Sequence, residues 1–596
     1  MNKNNHNSIL NSVRDTLNEN GLSAIIIPHG DEYQNEFVPV YNQRLRHVTG
    51  FTGSAGFAII TTTKAVVMSD GRYSIQLKQE IDQSLFEIGD STKQTQADWL
   101  IKNCPPKSMI AYDPWLHTEQ SIRGLAQSLS EHDLRLYPLS KNIIDEIWLD
   151  RPAKQWGDVE IFPIEYAGLP ADEKIKHIQS ILKTKNVDST LISLPDSVSW
   201  CLNVRSNDVQ FNPVLLARLL IHKEKKPVLF IDQNRCFDTS IMTYLNSIVD
   251  IDSIENLSVH LEKNTHSILL DPQRIPKAVF DYARMVSLSI EEGKDPSVDL
   301  KACKNEHEQN AMRSAHKKDA AALISFLTWL DNTKEHQDLN ELSITDKLET
   351  FRRNNPAYKG KSFDTICGWN ANGAIIHYRA TEKNFASIAK NENGILLLDS
   401  GGQYEDGTTD ITRTLSFGVI PDTIKRENTL VLKGMIGLSK TIFPYGTTGA
   451  ELDVRARKPL QDHGLDYAHG TGHGVGCHLS VHEEATGISP RSHDKMEVGM
   501  IVSNEPGYYK ENSHGIRIEN LILCVDTFQK NEIGSPLLTF ETLTLVPLDK
   551  TLIDQSLLDK DEIDWINHYH QRIFNEISPL LDDITIKWLS NACKAL

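Results

Sequence analysis

Two kinds of hydrophobic patterning divide this chain. In roughly the first 300 residues, short unbroken apolar runs alternate with stretches at helical spacing. The runs come in pairs: Ser23 to Pro28 (SAIIIP) with Ser189 to Pro195 (STLISLP), Ala65 to Asp70 (AVVMSD) with Pro227 to Asp232 (PVLFID), and Ser108 to Pro114 (SMIAYDP) with Ser267 to Pro272 (SILLDP). Each pair keeps an offset of about 160 residues. Amphipathic helices are predicted just ahead of the first pair, at Ile9 to Glu19 and Ile175 to Leu182. Helices alternating with continuously apolar strands predict α/β layers around buried sheets. The constant offset predicts one such domain present twice, over 1–155 and 156–302. A proline- and glycine-bearing connector, Asp150 to Pro170, separates the copies.

A different pattern follows. Glu306 to Asn332 carries Met312, Ala315, Ala320, Leu323, Phe326 and Leu330 at helical spacing, which predicts one long helix opening a third domain, 303–548. Farther on, an apolar run ends in Asp399 (GILLLD), turn residues follow (SGGQYEDG), and Thr408 to Phe417 alternates. That alternation puts Asp410, Thr412 and Thr414 on one strand face. A second apolar run ends in Glu505 (MIVSNE), and its return strand carries Arg517 and Glu519 on one face. Two hairpins related by an approximate twofold would make their carboxylates converge. The remaining segment, 549–596, has helical signals at Trp565, Ile573 and Trp588 and is expected to pack on the third domain.

A lone acidic residue at a strand end is usually a solvated turn residue. Two pairs in matching contexts are harder to dismiss. Four carboxylates gathered together must be exposed, protonated or metal-bound, and metal is the simplest of the three. Between the hairpins lies HGTGHGVG, with His469 and His473. Their four-residue spacing would suit a helical zinc pair, but the glycines oppose a helix and predict an irregular loop with close backbone approach. His377 (GAIIHY) and His482 (VHEE) each adjoin apolar residues and read equally well as structural histidines or as members of the site. Oxygen donors with one imidazole suit hard divalent ions, manganese above all, and two such ions point to acyl hydrolysis. A serine-nucleophile elbow and a phosphate-cradling GxxxxGK[ST] loop are both absent.

Composition narrows the classes. Sixty-two basic against 80 acidic residues give a net charge of −18, with no dense basic block, so nucleic acid is not an expected partner. Eight cysteines without CxxC spacing fit a reducing compartment. The polar first residues lack a signal-peptide core, and no run approaches the roughly 18–20 apolar residues of a membrane span. A cytoplasmic protein is the expectation.

The motifs NANGAIIHY, LLDSGGQYEDGTTDITRT, HGTGHGVG, VHE, NEPGYY and GIRIEN resemble the pita-bread metallopeptidases, and among them the large three-domain aminopeptidase P group. The resemblance extends to FTGSAGFAIIT and DGRYSIQ in the first domain and SVSWCLNVRSNDVQFNPV in the second, and so spans essentially the whole chain. It implies two creatinase-like α/β domains, then a pita-bread catalytic domain with a short helical tail. It implies that Asp399 binds one of two metal ions, that His473 and Glu505 bind the other, and that Asp410 and Glu519 bridge both. Glu505 would be the general base, and a hydroxide bridging the metals would attack the amide before a penultimate proline. His377, His469 and His482 match the substrate-binding and proton-handling histidines, while Arg517 and Tyr509 match residues that support the carboxylates. A homodimer is implied as well. Cys477 and His478, beside the metal histidine, receive no role. The competing readings are a prolidase, disfavoured by the duplicated front domain, and a creatinase-like amidinohydrolase or metal-free binding protein, disfavoured by the intact ligand set.

Overall fold

The computed structural model describes residues 3–335 and 337–596. Contacts divide the chain into two compact units, Met1–Ile164 with Leu169–Val298, and Glu165–Gly168 with Asp299–Leu596. The first unit holds fourteen strands, β1 to β14. These are β1 (Ala24–Pro28), β2 (Phe57–Thr61), β3 (Ala65–Ser69), β4 (Glu87–Asp90), β5 (Met109–Tyr112) and β6 (Arg135–Pro138). After them come β7 (Val159–Ile161), β8 (Ser189–Ile192), β9 (Val204–Ser206), β10 (Arg218–His222) and β11 (Val228–Ile231). The last three are β12 (Asp250–Ser253), β13 (Ser267–Leu270) and β14 (Ser289–Glu292).

Two six-stranded sheets have the orders β4-β3-β2-β1-β5-β6 and β12-β11-β10-β8-β13-β14. They correspond strand for strand. In each, two adjacent pairings (β3-β2-β1 and β11-β10-β8) are antiparallel and the other three parallel. The three predicted strand pairs occupy equivalent places, β1 with β8, β3 with β11 and β5 with β13. Three further pairs complete the sheets. The outermost of these strands (EIGD, RLYP, DIDS, SIEE) are short and polar, as edges must be to avoid pairing with other chains, so they carry no apolar run to detect. The first helix, Lys3–Glu19, buries Leu10, Val13 and Leu17 on one stripe, and the helix Ala171–Lys185 buries Ile175, Ile178 and Leu182.

The second unit opens with the long helix, Glu306–Thr333, started by a reciprocal cap between Asn305 and Glu308. All six residues that predicted it are buried. A three-stranded antiparallel sheet joins Ile366–Trp369, Gly394–Ser400 and Ile411–Phe417. A six-stranded antiparallel sheet includes Gly472–Gly474, Glu483–Ile488, Ile501–Asn504 and Asn520–Lys530. The two sheets meet where the Glu519 N–H donates to the Thr412 carbonyl, 3.1 Å away. Tail helices Lys560–Ile577 and Asp583–Ala592 bury Ile566, Tyr569, Ile573 and Leu589 in the same apolar core as the long helix. No helix among the described residues is long and apolar enough to cross a membrane.

Three local expectations need correction. Arg517 and Glu519 do not share a strand: one ends at Arg517, the next begins at Asn520, and Glu519 lies in the break. Asp410 likewise lies just ahead of the strand beginning at Ile411. The chain leaves one sheet and enters another at these points, which frees both carboxylates from strand alternation. HGTGHGVG is not wholly irregular either, since Gly472–Gly474 forms a strand between two neighbours. The glycines explain it: a Cβ on Gly472 would come within 1.9 Å of the Ser503 carbonyl, and one on Gly474 within 2.6 Å of the Glu483 carbonyl.

Candidate active site

The paired hairpins bring the acidic residues together. Asp399 pairs with Thr412 across the first hairpin, and Asn504, beside Glu505, pairs with Asn520, beside Glu519. Asp410, His473 and Glu519 each offer one donor atom within 4.8 Å of the others. Glu505 joins them, its Oε1 3.5 Å from His473 Nε2, and Asp410 Oδ2 lies at the same distance from that nitrogen. Asp399, Asp410 and Glu519 are buried, whereas the His473 and Glu505 side chains keep about a fifth of their surface exposed (22% and 18%). The site therefore opens to solvent on the histidine side.

His473 is aimed by its own backbone. Its Nδ1 meets the Gly474 carbonyl at 2.9 Å, which places the proton on Nδ1 and turns Nε2 toward the carboxylates. Its N–H donates to Ser503 Oγ, which in turn donates to Glu505 Oε1. Arg517 anchors the other side: Nη2 donates to Asp399 Oδ2 at 2.6 Å, Nε to Thr412 Oγ1, and Nη1 to the Tyr509 hydroxyl at 2.7 Å. His469 Nδ1 faces the Gly470 carbonyl at 2.7 Å and so carries the proton, which leaves Nε2 to accept from the Tyr509 hydroxyl at 2.8 Å. Arginine, tyrosine and histidine thus form one chain of hydrogen bonds alongside Asp399. His469 Nδ1 also lies 3.9 Å from Glu505 Oε2. The His482 ring stands edge-on to His473, centroids 4.2 Å apart and planes at 86°. His377 is half-buried, and its neighbour Ile376 turns its carbonyl toward Arg517 at 3.5 Å.

Charge crowding perturbs these groups strongly. Burial pushes the Asp399 carboxyl up to about 7, with Arg517 opposing and Asp410 reinforcing the shift. Burial, then the neighbouring carboxylates, hold Glu519 far above the ordinary range. Glu505 is raised for the same first reason, against the pull of His473. Burial acts against a charged His473, yet Asp410 and Glu505 bring it up to about 9. Among the described residues, Asp399 Oδ1 is moreover buried without a hydrogen-bond partner. A fold that gathers acceptors this way, and leaves one of them unpaired, fits divalent cations: only added positive charge satisfies four such carboxylates together.

Thr412 and Ser503 belong to this arrangement too. Thr412 shares the strand face expected for Asp410, which was a usable signal; Ser503, inside an apolar run, offered none. Cys477 is buried, with Sγ 3.6 Å from the Asp406 carbonyl, a packing role. His478 is also buried and sits in the left-handed region at φ 49°.

Comparison with known proteins gives this fold and site a class. Residues 310–526 match the model of metallopeptidase family M24 and 536–596 its C-terminal region, while 10–147 and 150–308 each match the creatinase/prolidase N-terminal domain. The duplication seen in the sheets is therefore also a duplication of family, and the chain is a metallopeptidase with two creatinase-type leading domains. It is 36% identical over 603 residues to a probable Xaa-Pro aminopeptidase P of Laccaria bicolor, covering 98% of this chain and 93% of the relative. A probable Xaa-Pro aminopeptidase P of Talaromyces marneffei is equally similar over 98% and 91%. The crystal structure of an X-prolyl aminopeptidase from Caenorhabditis elegans, described as a cytosolic enzyme with a di-nuclear active site, superposes with a TM-score of 0.92 at 32% identity, covering 96% of this chain and 95% of that one. A Xaa-Pro dipeptidase from Bacillus anthracis shares the fold over only 64% of this chain but 99% of its own, with a TM-score of 0.51 at 23% identity. The chain belongs to the Xaa-Pro aminopeptidase P family.

Proposed function

We propose that this enzyme removes the first residue from peptides whose second residue is proline, using two divalent metal ions held by Asp399, Asp410, His473, Glu505 and Glu519. The observation that carries the ligand set is the convergence of Asp410, Glu505 and Glu519 on His473, with Asp399 Oδ1 buried nearby without a hydrogen-bond partner among the described residues. The oxygen-rich donor set favours manganese. When bound, such a pair of ions polarises a carbonyl and lowers the pKa of a water.

The chain's own groups do the rest. Glu505, partly open to solvent, takes the proton that the attacking water gives up. His482, lying against His473 at the open side, and His377 face the departing amide and steady the carbonyl oxygen or protonate the proline nitrogen. The proline nitrogen, like any amine leaving group, must gain a proton as the C–N bond breaks, and as a tertiary amide it offers no N–H by which the site could hold it. Arg517 and Tyr509 keep Asp399 and His469 in place.

The domains assigned to this work are 1–155 and 156–302 as the duplicated α/β pair, 303–548 as the catalytic domain and 549–596 as its helical extension. A homodimer in the cytosol is the proposed working state, the compartment following the description of the nematode enzyme. Paired assays separate this reading from a dipeptidase. With Mn²⁺ resupplied after chelation, an Xaa-Pro-Xaa tripeptide should lose its first residue while an Xaa-Pro dipeptide stays nearly intact. Cleavage of the dipeptide alone would overturn the aminopeptidase reading.

A further inference from the structure

Glu341 lies far from the carboxylates just described in sequence, in the first turn of the helix Glu341–Arg353, and it is fully buried. Its carboxylate is crowded with donors from a single segment. Oε1 accepts from the Trp369 N–H at 2.7 Å and Asn372 Nδ2 at 2.9 Å. Oε2 accepts from the Tyr378 hydroxyl at 2.7 Å and the Ala386 N–H at 2.6 Å. The Glu341 N–H returns a bond to the Ala386 carbonyl. Residues 369–386 are therefore closed into a loop by one side chain, and His377 sits inside it.

The loop is held on its other side by the candidate site. Ile376 offers its carbonyl to Arg517, the residue that grips Asp399. Gly373 packs backbone to backbone against Gly515, where a Cβ would come within 1.7 Å of the Gly373 carbonyl. His377 thus stands between Ile376, which is tied to Arg517, and Tyr378, which is tied to Glu341. Burial, and next the bond to Glu341, hold the Tyr378 phenol well above its ordinary range, so its hydroxyl remains a donor.

We infer that Glu341 is a positioning residue for His377: by gathering four donors of the 369–386 loop, it sets where that imidazole meets the substrate. This rests on the reading of His377 as a group of the site. A charged carboxylate suits the place, because all its partners donate and an amide would turn an N–H toward one of them.

The test is a double-mutant cycle on the metal-loaded enzyme, with Glu341→Gln, His377→Ala and the pair, read as kcat and KM on an Xaa-Pro-Xaa peptide. Glu341→Gln should lower kcat by about 10- to 100-fold, the scale set by misplacing a reacting group by an ångström, with KM and metal content little changed. In the His377→Ala background the same substitution should cost almost nothing further. An equal loss in both backgrounds, or no loss in either, would overturn the positioning role. Full turnover in His377→Ala alone would instead remove His377 from the site. Should Glu341→Gln fail to fold, Tyr378→Phe carries the same cycle: it deletes one donor, and its smaller loss of kcat must also vanish without His377.

Discussion

Two buried aspartates in this protein live by opposite rules. Asp208, just past β9, has both oxygens fully engaged: Oδ1 accepts from the Gly157 N–H and Ser206 Oγ, and Oδ2 from the Leu216 N–H and Arg235 Nη1 at 2.5 Å. Asp399 has one oxygen held by Arg517 and the other unpaired, with three further acidic side chains gathered about the same site. The first is a charge buried for architecture. The second is a charge buried for something not supplied by the polypeptide. Burial alone does not separate them, and each has an arginine partner; what does is that Arg235 answers a lone carboxylate, whereas Arg517 stands beside a cluster of them.

The contrast is broken most severely at the proposed bridging residue. Asp410→Asn should reduce turnover by about 10⁴-fold, equivalent to ~5 kcal/mol of transition-state stabilisation, while circular dichroism stays native. Near-normal turnover would show that the acidic cluster is not the catalytic centre. At the architectural site the effect should fall on stability instead. Asp208→Ala leaves Arg235 buried without its partner and should cost about 3–5 kcal/mol in denaturant unfolding. Glu519→Gln should do the reverse to the metal-free protein, raising its Tm by a few degrees, ~1 kcal/mol, because a neutral amide spares the fold the cost of taking up a proton or burying a charge there. If both variants lose stability alike, the distinction between the two kinds of buried acid fails.

A gentler probe is pH. Asp399, whose ordinary value is 3.8, rises to about 7 in the fold, and His473, ordinarily 6.5, to about 9. Both hold protons more tightly folded than unfolded, so the metal-free protein loses stability as pH rises through these windows. Its Tm should decline between about pH 4 and pH 9, while metal-loaded protein resists the decline, cations having replaced the protons. Parallel melting curves for the two forms would contradict this.

Much of the design is legible in the residues themselves. The acidic residues stand out because each pair repeats a context, an apolar strand running into a carboxylate and a second carboxylate on the return. Glycines around His473 rule out a helix and announce close approach, although not the short strand that results. What stays hidden is whatever depends on distant partners. Glu341 looks like any acidic residue starting a helix, because the donors that define it arrive 28 to 45 positions later. Ser503 is lost in an apolar run for the same reason. The edge strands of the duplicated sheets are hidden differently: their polarity is what keeps them from aggregating, and it erases the pattern that would reveal them.

Elemental analysis of the purified chain, stripped with chelator and dialysed against Mn²⁺, decides whether the acidic cluster is a dinuclear metal centre. The native protein should hold two ions per chain, and Asp410→Asn should lose that stoichiometry. Full peptide cleavage by a chain holding no metal would contradict that assignment.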